Sequence, residues 1–472
     1  MIQSMNIAFP VPQFDAELIA RYDCRGPRYT SYPTALQFQP DFDQAALENA
    51  IATSNGEPVP SPLSLYVHVP FCRSPCFYCG CSRIITRDVT RADAFLQAVA
   101  HEAALIGPRF DPDRRVHQLH LGGGTPNFLD LPRMTQLFET LRQHFAFAPV
   151  AQREFGIEID PRFTNADYIR ALGKLGFNRL SAGIQDFDPE VQRAVNREQS
   201  IAQTTMALQT AREAGFQSIS VDLIYGLPRQ SLEGFGKTLD EIVQLSPDRV
   251  AVYGYAHLPT LFKAQGHIHA AELPPPAERL ALLGLAMTKL TGAGYLYIGM
   301  DHFAKPDDSL VQAQRDGKLQ RNFQGYSTLA DCDIVGLGPS AISRISDSYS
   351  QNVRDIGGYY ADLHAGRLPV ARGISLNEDD VIRRDVISSL MCHGELDLLT
   401  LSERHEIDAP RYFANELSRL DALAEDGLVT INARYIRVQP RGRLLLRNIA
   451  MCFDNYLDHR DGATPTWFSR TI

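Results

Sequence analysis

Half of the chain's eight cysteines fall within ten residues, Cys72-Arg-Ser-Pro-Cys76-Phe-Tyr-Cys79-Gly-Cys81. Three of them, Cys72, Cys76 and Cys79, have the spacing Cys-x3-Cys-x2-Cys. A cubane iron–sulfur cluster has four iron corners, each usually held by one thiolate. Three thiolates on one short loop can hold three corners and leave the fourth iron open, and an open metal position is what a catalytic site keeps. The same residues admit a zinc reading, with Cys81 or His68 as fourth ligand, although structural zinc is more often held by two separated Cys-x2-Cys pairs. The remaining cysteines, Cys24, Cys332, Cys392 and Cys452, are scattered singly, and so sparse a set in so long a chain argues against a disulfide framework.

The elements that would position this loop follow from periodicity. Six β-rich runs, Leu63–Val69, His117–Leu121, Glu154–Asp160, Leu180–Gln185, Ser218–Tyr225 and Val250–Ala256, alternate with amphipathic stretches at Ala92–Ile106, Pro132–Phe145, Ala166–Leu175, Ala202–Ala214 and Leu232–Leu245. Such alternation implies parallel strands with right-handed crossovers. Six units fit a partial (β/α)6 TIM-like barrel; periodicity alone leaves a doubly wound sheet open. Within the strands one face is apolar (Leu65, Val67, Val69; Phe155, Ile157, Ile159; Leu180, Ala182, Ile184; Ile219, Val221, Leu223) and the other polar (Ser64, Tyr66, His68; Gly156, Glu158, Asp160; Ser181, Gly183, Gln185; Ser218, Ser220, Asp222). Parallel strands covered on both faces by helices read as apolar throughout. The polar face therefore points to an open barrel whose lumen is a binding site, against the alternative of an antiparallel sheet with one wet face.

In such barrels, functional groups follow the C-terminal ends of strands. The cysteine loop follows the first run, Gly122-Gly-Gly124-Thr125-Pro126 the second, Glu158 and Asp160 end the third, Gln185 ends the fourth, and Asp222 lies in the fifth. Glycines there allow close backbone approach to a ligand's amino group. Glu158 could pair with that group, Asp222 with ribose hydroxyls, and Arg197 with a carboxylate as a bidentate fork. The bland alternatives are a surface carboxylate, a satisfied buried acid and a solvated helix end.

Length and charge set further bounds. The chain has 472 residues, enough for more than one domain, with 44% hydrophobic and 21% charged residues. A net charge of −9 argues against broad nucleic-acid binding. Met1–Asp23 lacks the basic start and apolar run of a signal peptide, and no apolar run is long enough to span a bilayer, so a cytoplasmic location without membrane attachment is expected. The expected organisation is an N-terminal arm over 1–60, the barrel and its extension over 61–350, and a mostly helical C-terminal domain over 351–472. The arm contains Arg25-Gly-Pro-Arg-Tyr-Thr-Ser-Tyr-Pro-Thr34, a stiff segment suited to closing over a pocket. A helix is expected over 274–293, and Gly336-Leu-Gly-Pro-Ser-Ala-Ile342 reads as another ligand-facing turn. Near the C-terminus, Leu428–Ile431 and Tyr435–Val438 read as a hairpin after helices, a winged-helix-like pattern. Alone it would suggest DNA binding through Arg434, Arg437, Arg441, Arg443 and Arg447; a lid over the barrel agrees better with the acidic balance.

The cysteine motif, with an aromatic residue before Cys79, resembles that of radical S-adenosylmethionine (SAM) enzymes. Over nearly its whole length the chain resembles the oxygen-independent coproporphyrinogen III oxidases among them. The shared motifs are Tyr66-Val-His-Val-Pro-Phe-Cys72 with the added Cys81, Arg28-Tyr-Thr-Ser-Tyr-Pro33, Gly122–Pro126, Glu158-Ile-Asp-Pro161, Asn322-Phe-Gln-Gly325 and Arg447-Asn-Ile-Ala-Met-Cys-Phe-Asp454. The resemblance implies one 4Fe-4S cluster on Cys72, Cys76 and Cys79, with Cys81 not a ligand. It implies one SAM contacted by Tyr66, Gly124, Thr125, Glu158, Gln185, Arg197, Asp222 and Ala256, and a second near Phe323, Gln324 and Ile342. Cys81 and His68 would be catalytic. The substrate would be coproporphyrinogen III, two of whose propionates become vinyl groups with loss of carbon dioxide, giving protoporphyrinogen IX. A 5′-deoxyadenosyl radical would take the propionate hydrogen atom, and Arg25, Arg28, Arg197, Arg321 and Arg344 are candidates for holding propionates. A flavodoxin or ferredoxin would donate electrons to a monomeric enzyme that binds neither nucleic acid nor membrane. The nearest alternatives are related haem chaperones and anaerobic haem-degrading methyltransferases; the alternative from another class is a zinc-stabilised winged-helix DNA-binding protein.

Overall fold

The computed structural model describes residues 11–329, 332–457 and 470; the start of the expected arm and the last residues of the C-terminal domain lie outside them. All six expected strands form: β1 Leu63–Val69, β2 Val116–Gly123, β3 Glu154–Ile159, β4 Arg179–Gln185, β5 Ser218–Tyr225 and β6 Arg249–Gly254. They pair side by side in chain order, all parallel, which removes the antiparallel wet-faced alternative. Helices α1 Arg91–Ile106, α2 Leu131–His144, α3 Ala166–Leu175, α4 Ile201–Glu213 and α5 Leu232–Leu245 make the crossovers. Their starts are written locally: Asp130, Asn165 and Ser231 each cap a helix N-terminus with a side-chain oxygen, and Ser200 with Gln203 makes a capping box. Gly176 ends α3 at φ 105°, a left-handed position suited to glycine.

Helix α6, Pro276–Gly292, leads to two antiparallel edge strands, β7 Leu296–Gly299 and β8 His302–Ala304, with β8 beside β6. On the opposite edge, β9 Asp333–Leu337 adds a seventh parallel strand beside β1, followed by antiparallel β10 Ile342–Ile345, β11 Ser348–Asn352 and β12 Val370–Ser375. The result is one open sheet of twelve strands. It continues through Ser375, past residue 350. A two-stranded ribbon, Gln320–Asn322 with Gly325–Ser327, faces the lumen beside Gln118 and His302.

The alternation read in the strands is what separates core from lumen. Leu65, Val67, Val69, Phe155, Ile157, Leu180, Ala182, Ile219, Val221 and Leu223 are almost wholly buried in the layer between sheet and helices. At about 25 cal/mol per Å2 of apolar surface, this face is what holds the helices to the sheet. The other face presents Tyr66, His120, Glu158, Ser181 and Asp222 to the lumen, and the register sets Tyr66 beside His120, Glu158 beside Ser181, and Gly183 beside Asp222.

The C-terminal unit contains α7 Glu378–His393, α8 Leu398–His405, α9 Ala414–Glu425 and a three-stranded antiparallel sheet in the order Glu395–Asp397, Tyr435–Val438, Val429–Ile431. The expected hairpin is its last two strands. The arm bridges both units, placing Phe42, Leu47 and Ile51 in the barrel core and Leu18, Tyr29 and Tyr32 in the C-terminal core. The five arginines of the DNA-binding alternative are engaged internally. Arg434 pairs with Asp397, Arg437 with Glu395 and Arg441 with Asp15. Buried Arg443 donates to the carbonyls of Tyr297 and Ile298, and buried Arg447 to that of Pro27. Arg441, Arg443 and Arg447 thus fasten the unit to its neighbours, while Arg434 and Arg437 are paired with carboxylates of the unit's own sheet.

Candidate active site

The cysteine loop leaves the C-terminal end of β1 and is braced by chain contacts on several sides. Arg83 donates to the carbonyls of Cys76, Cys79 and Cys81 at 3.2, 2.9 and 3.3 Å. Asn196 donates to Pro75 O at 2.6 Å and Gln265 to Tyr78 O at 2.9 Å. The glycine turn after β2 lies directly against it, with Gly124 N–H donating to Val69 O and Thr125 N–H to Phe71 O at 2.8 and 2.9 Å. A Cβ on Gly124 would stand 2.8 Å from Phe71 O, closer than packing allows. The close approach that the glycines permit is thus, at Gly124, to the cysteine loop itself.

Cys72 and Cys76 are buried, Cys79 is half-buried and Cys81 is exposed. Together they line a cavity of about 200 Å3 whose other walls include Thr125, Glu158, Gln185, Arg197 and Asp222. The Cys72 sulfur lies 3.3 Å from Thr125 Oγ1, and the guanidiniums of Arg162 and Arg197 each donate to Cys76 Sγ at 3.5 Å. Burial pushes the Cys72 thiol up to about 11. Cys79 is held down at about 6, chiefly by a hydrogen bond from Cys81 and against the opposing effect of burial, with Arg83 assisting. Among the described residues no three His, Cys, Asp or Glu side chains are arranged to hold a single metal ion. Thiols spread around a cavity that four arginines also line suit a larger, anionic, thiolate-held centre.

Asp160, which ends the third expected strand, joins the two arginines beside Cys76. It is 2.7 Å from Arg162 and 3.2 Å from Arg197, and all three side chains are nearly buried. Burial raises the Asp160 pKa, but Arg197 and Arg162 outweigh it and the net shift is downward. Arg197 also donates to Gly183 O at 2.6 Å, so its terminal nitrogens are engaged by the protein and only buried Nε has no partner. These bonds hold the Arg197 guanidinium in place on the cavity wall.

Gln185 has φ 73°, a left-handed backbone that costs a residue with a side chain of order 1 kcal/mol or more. Its side chain is 9% exposed and its buried Oε1 has no partner. Strain together with an unused buried acceptor marks a ligand-facing residue. Asp222 accepts from Ser181 at 3.3 Å, and burial, with the Glu158 charge, raises it to about 7. Glu158 accepts from His120 Nε2 at 3.0 Å and remains partly exposed. It lines three adjoining cavities.

The second of these, about 340 Å3, is lined by Tyr66, His68, Cys81, Gly123, Phe323, Gln324 and Ile342. Gln324 Nε2 is buried without a partner. The third, about 160 Å3, runs down the lumen between Gln118, Arg179, Arg249 and Tyr326. His68 accepts from Tyr66 OH at Nδ1 (3.2 Å) and donates from Nε2 to Ser82 O (2.9 Å), which assigns the neutral Nε2–H tautomer; burial lowers its pKa accordingly. It ties β1 to the cysteine loop. Ala256 is half-buried two residues beyond β6 and is not among the lining residues of these cavities.

The residues brought together are therefore Tyr66, His68, Cys72, Cys76, Cys79, Cys81, Gly124, Thr125, Glu158, Gln185, Arg197 and Asp222, with Phe323, Gln324 and Ile342 in the adjoining cavity. Sequence reasoning missed His120, Arg162 and the bridging role of Asp160. His120 was within reach, because the period of two that exposes Glu158 in β3 also turns His120 inward in β2.

A family model described as the radical SAM superfamily matches residues 66–242, and one described as the HemN C-terminal domain matches residues 376–445. The chain is 48% identical over 459 residues to the oxygen-independent coproporphyrinogen III oxidase of Escherichia coli K12, covering 97% of this chain and 98% of that one. It is 45% identical over 472 residues to the protein of the same name from Synechocystis, covering 99% and 100%. The solved structure of coproporphyrinogen III oxidase (HemN) from Escherichia coli, described as a radical SAM enzyme, superposes with a TM-score of 0.90 at 47% identity, covering 95% of this chain and 100% of that one.

Proposed function

This chain belongs to the oxygen-independent coproporphyrinogen III oxidases of the radical SAM superfamily, and from that premise we propose that it converts coproporphyrinogen III to protoporphyrinogen IX. Each of two propionates, –CH2–CH2–COO−, becomes a vinyl group with release of carbon dioxide, one hydrogen atom and one electron. The propionate β-carbon carries no acidic proton, so an acid–base pair has nothing to act on. When bound, the 4Fe-4S cluster and SAM of this superfamily supply the 5′-deoxyadenosyl radical, which can take that hydrogen atom.

Cys72, Cys76 and Cys79 are the ligands we assign to the cluster. Glu158 faces the cofactor's amino group, Asp222 and Gln185 face its sugar side, and Arg197 contributes a positive charge beside its carboxylate. Gly124 and Thr125 shape the wall, Tyr66 and His68 fix the cysteine loop to the barrel, and Ala256 is assigned by resemblance alone. Phe323, Gln324 and Ile342 face a second SAM in the adjoining cavity, and Cys81, shared by both cavities, takes part in turnover with His68 as its support. A flavodoxin or ferredoxin donates the electron to a monomer located in the cytoplasm, where its eight free thiols remain reduced. No helix among the described residues is long and apolar enough to cross a membrane.

The observation that carries this reading is the cavity at which four thiols, Glu158, strained Gln185 and Asp222 meet. The test is anaerobic incubation of the iron-loaded protein with coproporphyrinogen III, SAM and reductant, with chromatography of the porphyrins. A divinyl product supports the reading. Unchanged coproporphyrinogen, with SAM uncleaved or haem bound instead, overturns it.

A further inference from the structure

Most guanidiniums around the barrel lumen have a carboxylate of their own. Arg179 is 2.5 Å from Glu154, Arg249 is 3.0 Å from Asp308 and Arg197 is 3.2 Å from Asp160. Arg321, on the lumen-facing ribbon, forms no ion pair among the described residues. Its Nε makes one long hydrogen bond to Arg28 O at 3.4 Å, its carbon centre lies 5.1 Å from the ring of Tyr326, and buried Nη1 has no acceptor. A buried cationic donor without an acceptor is unfavourable unless something else supplies one.

Arg321 lines a cavity of about 280 Å3 between the arm, the ribbon and α7. The hydroxyl of Ser31, on the same wall, is also buried without a partner. The carboxylates around this cavity do not serve Arg321. Asp333 is held by Arg114 at 2.6 Å, Asp347 by Arg384 at 2.9 Å and Asp385 by Arg404 at 3.1 Å, and Glu57 makes no ion pair with it. An unsatisfied guanidinium and an unsatisfied hydroxyl on one cavity are complementary to a carboxylate. The cavity shares Arg344 with the 340 Å3 cavity, which in turn shares Cys81, Gly123 and Glu158 with the cysteine cavity. The carboxylate seated at Arg321 is therefore one cavity removed from the reacting centre.

We propose that Arg321, with Ser31, forms a carboxylate subsite that seats a propionate of the tetrapyrrole other than the one being decarboxylated. This rests on the proposed activity and adds the residue that orients the substrate. The ligand tested is coproporphyrin III, the unreactive oxidised form, titrated by its Soret band into iron-loaded enzyme, with its tetramethyl ester as comparison. Arg321→Gln should weaken binding of the acid at least tenfold, leave binding of the ester unchanged, and raise the KM for coproporphyrinogen more than it lowers kcat. Iron content and SAM cleavage without substrate should match wild type. Equal affinities of variant and wild type for the acid, or equal losses for acid and ester, overturn the subsite. If Arg321→Gln fails to load iron, Arg321→Lys is the variant to read: its point charge should weaken the acid severalfold and not the ester, and an unchanged dissociation constant refutes the proposal. Failure of wild type to convert coproporphyrinogen is a separate result, which strikes at the activity rather than at Arg321.

Discussion

Asp160→Asn should be far more damaging than its small change in shape suggests. The Asp160 carboxylate is 7% exposed and pairs with Arg197, also 7% exposed, and with Arg162, 10% exposed. Removing one partner of a buried pair costs about 3–5 kcal/mol, because the surviving charge is left unpaired in a poorly solvated place. Asparagine keeps one carbonyl oxygen for Arg162 but turns an amide N–H2 toward the guanidiniums, so about 3 kcal/mol is expected. Whole domains are stable by only about 5–15 kcal/mol, so this is a substantial loss. Asp93→Asn provides the contrast: Asp93 is as close to Arg133 (2.7 Å) as Asp160 is to Arg162, but its side chain is 51% exposed, and solvent screening should leave no measurable effect. Equilibrium urea unfolding under anoxic conditions measures both, through the midpoint shift at a common slope. Iron content should fall only in the Asp160 variant, because both arginines that reach Cys76 Sγ lose their anchor. Equal midpoints for the two variants would refute the claim that burial sets the strength of the Asp160 network.

Serine at Cys72, Cys76 or Cys79 should abolish iron binding as measured by metal analysis, whereas Cys81→Ser should retain iron and lose turnover; iron loss in the latter would make Cys81 a ligand. Gln185→Gly should relieve the strain of φ 73° and raise the urea midpoint by the equivalent of about 1 kcal/mol, while weakening SAM binding by calorimetry. A fall in both would contradict the strain argument. Buried Glu102 on α1 accepts from Gly338 N–H, Asn352 Nδ2 and Tyr359 OH, yet burial raises it to about 7. A carboxyl raised on folding contributes stability below its unfolded value of about 4.5, lost as pH rises through 7. Wild type should therefore lose unfolding free energy relative to Glu102→Gln across that interval, and a constant difference between the two would show that the three donors offset burial.

The barrel was legible because its strands carry two independent signals, an alternation of period two and long amphipathic crossovers between them. Runs such as Leu63–Val69 and Ser218–Tyr225 coincide with β1 and β5 to the residue. The edge strands β7 to β12 and the lumen ribbon were not legible: each is only three to six residues long, too short to show an alternation of its own, and β8, β9 and β12 depend on partners distant or separated in the chain. Site residues on strand ends, such as Glu158 and Asp222, followed from face and position. The place of Arg197 at the site also followed from position, but its pairing with Asp160 did not, because nothing in Val195-Asn-Arg-Glu reports that Asp160 will fold beside it. The C-terminal arginines look like a basic face only until Asp397, Glu395, Asp15 and two backbone carbonyls of β7 are brought against them.

The bracing of the cysteine loop bears on how the enzyme survives air. Arg83, Thr125, Asn196 and Gln265 fasten the loop through its peptide groups, in addition to the contacts that Thr125, Arg162 and Arg197 make to its sulfurs. A metalloprotein whose ligands are ordered only by the metal collapses when stripped and must refold to be rescued. Here the chain supplies holds on the loop that do not depend on the metal, so a molecule stripped by oxygen retains part of the order needed for refilling in place.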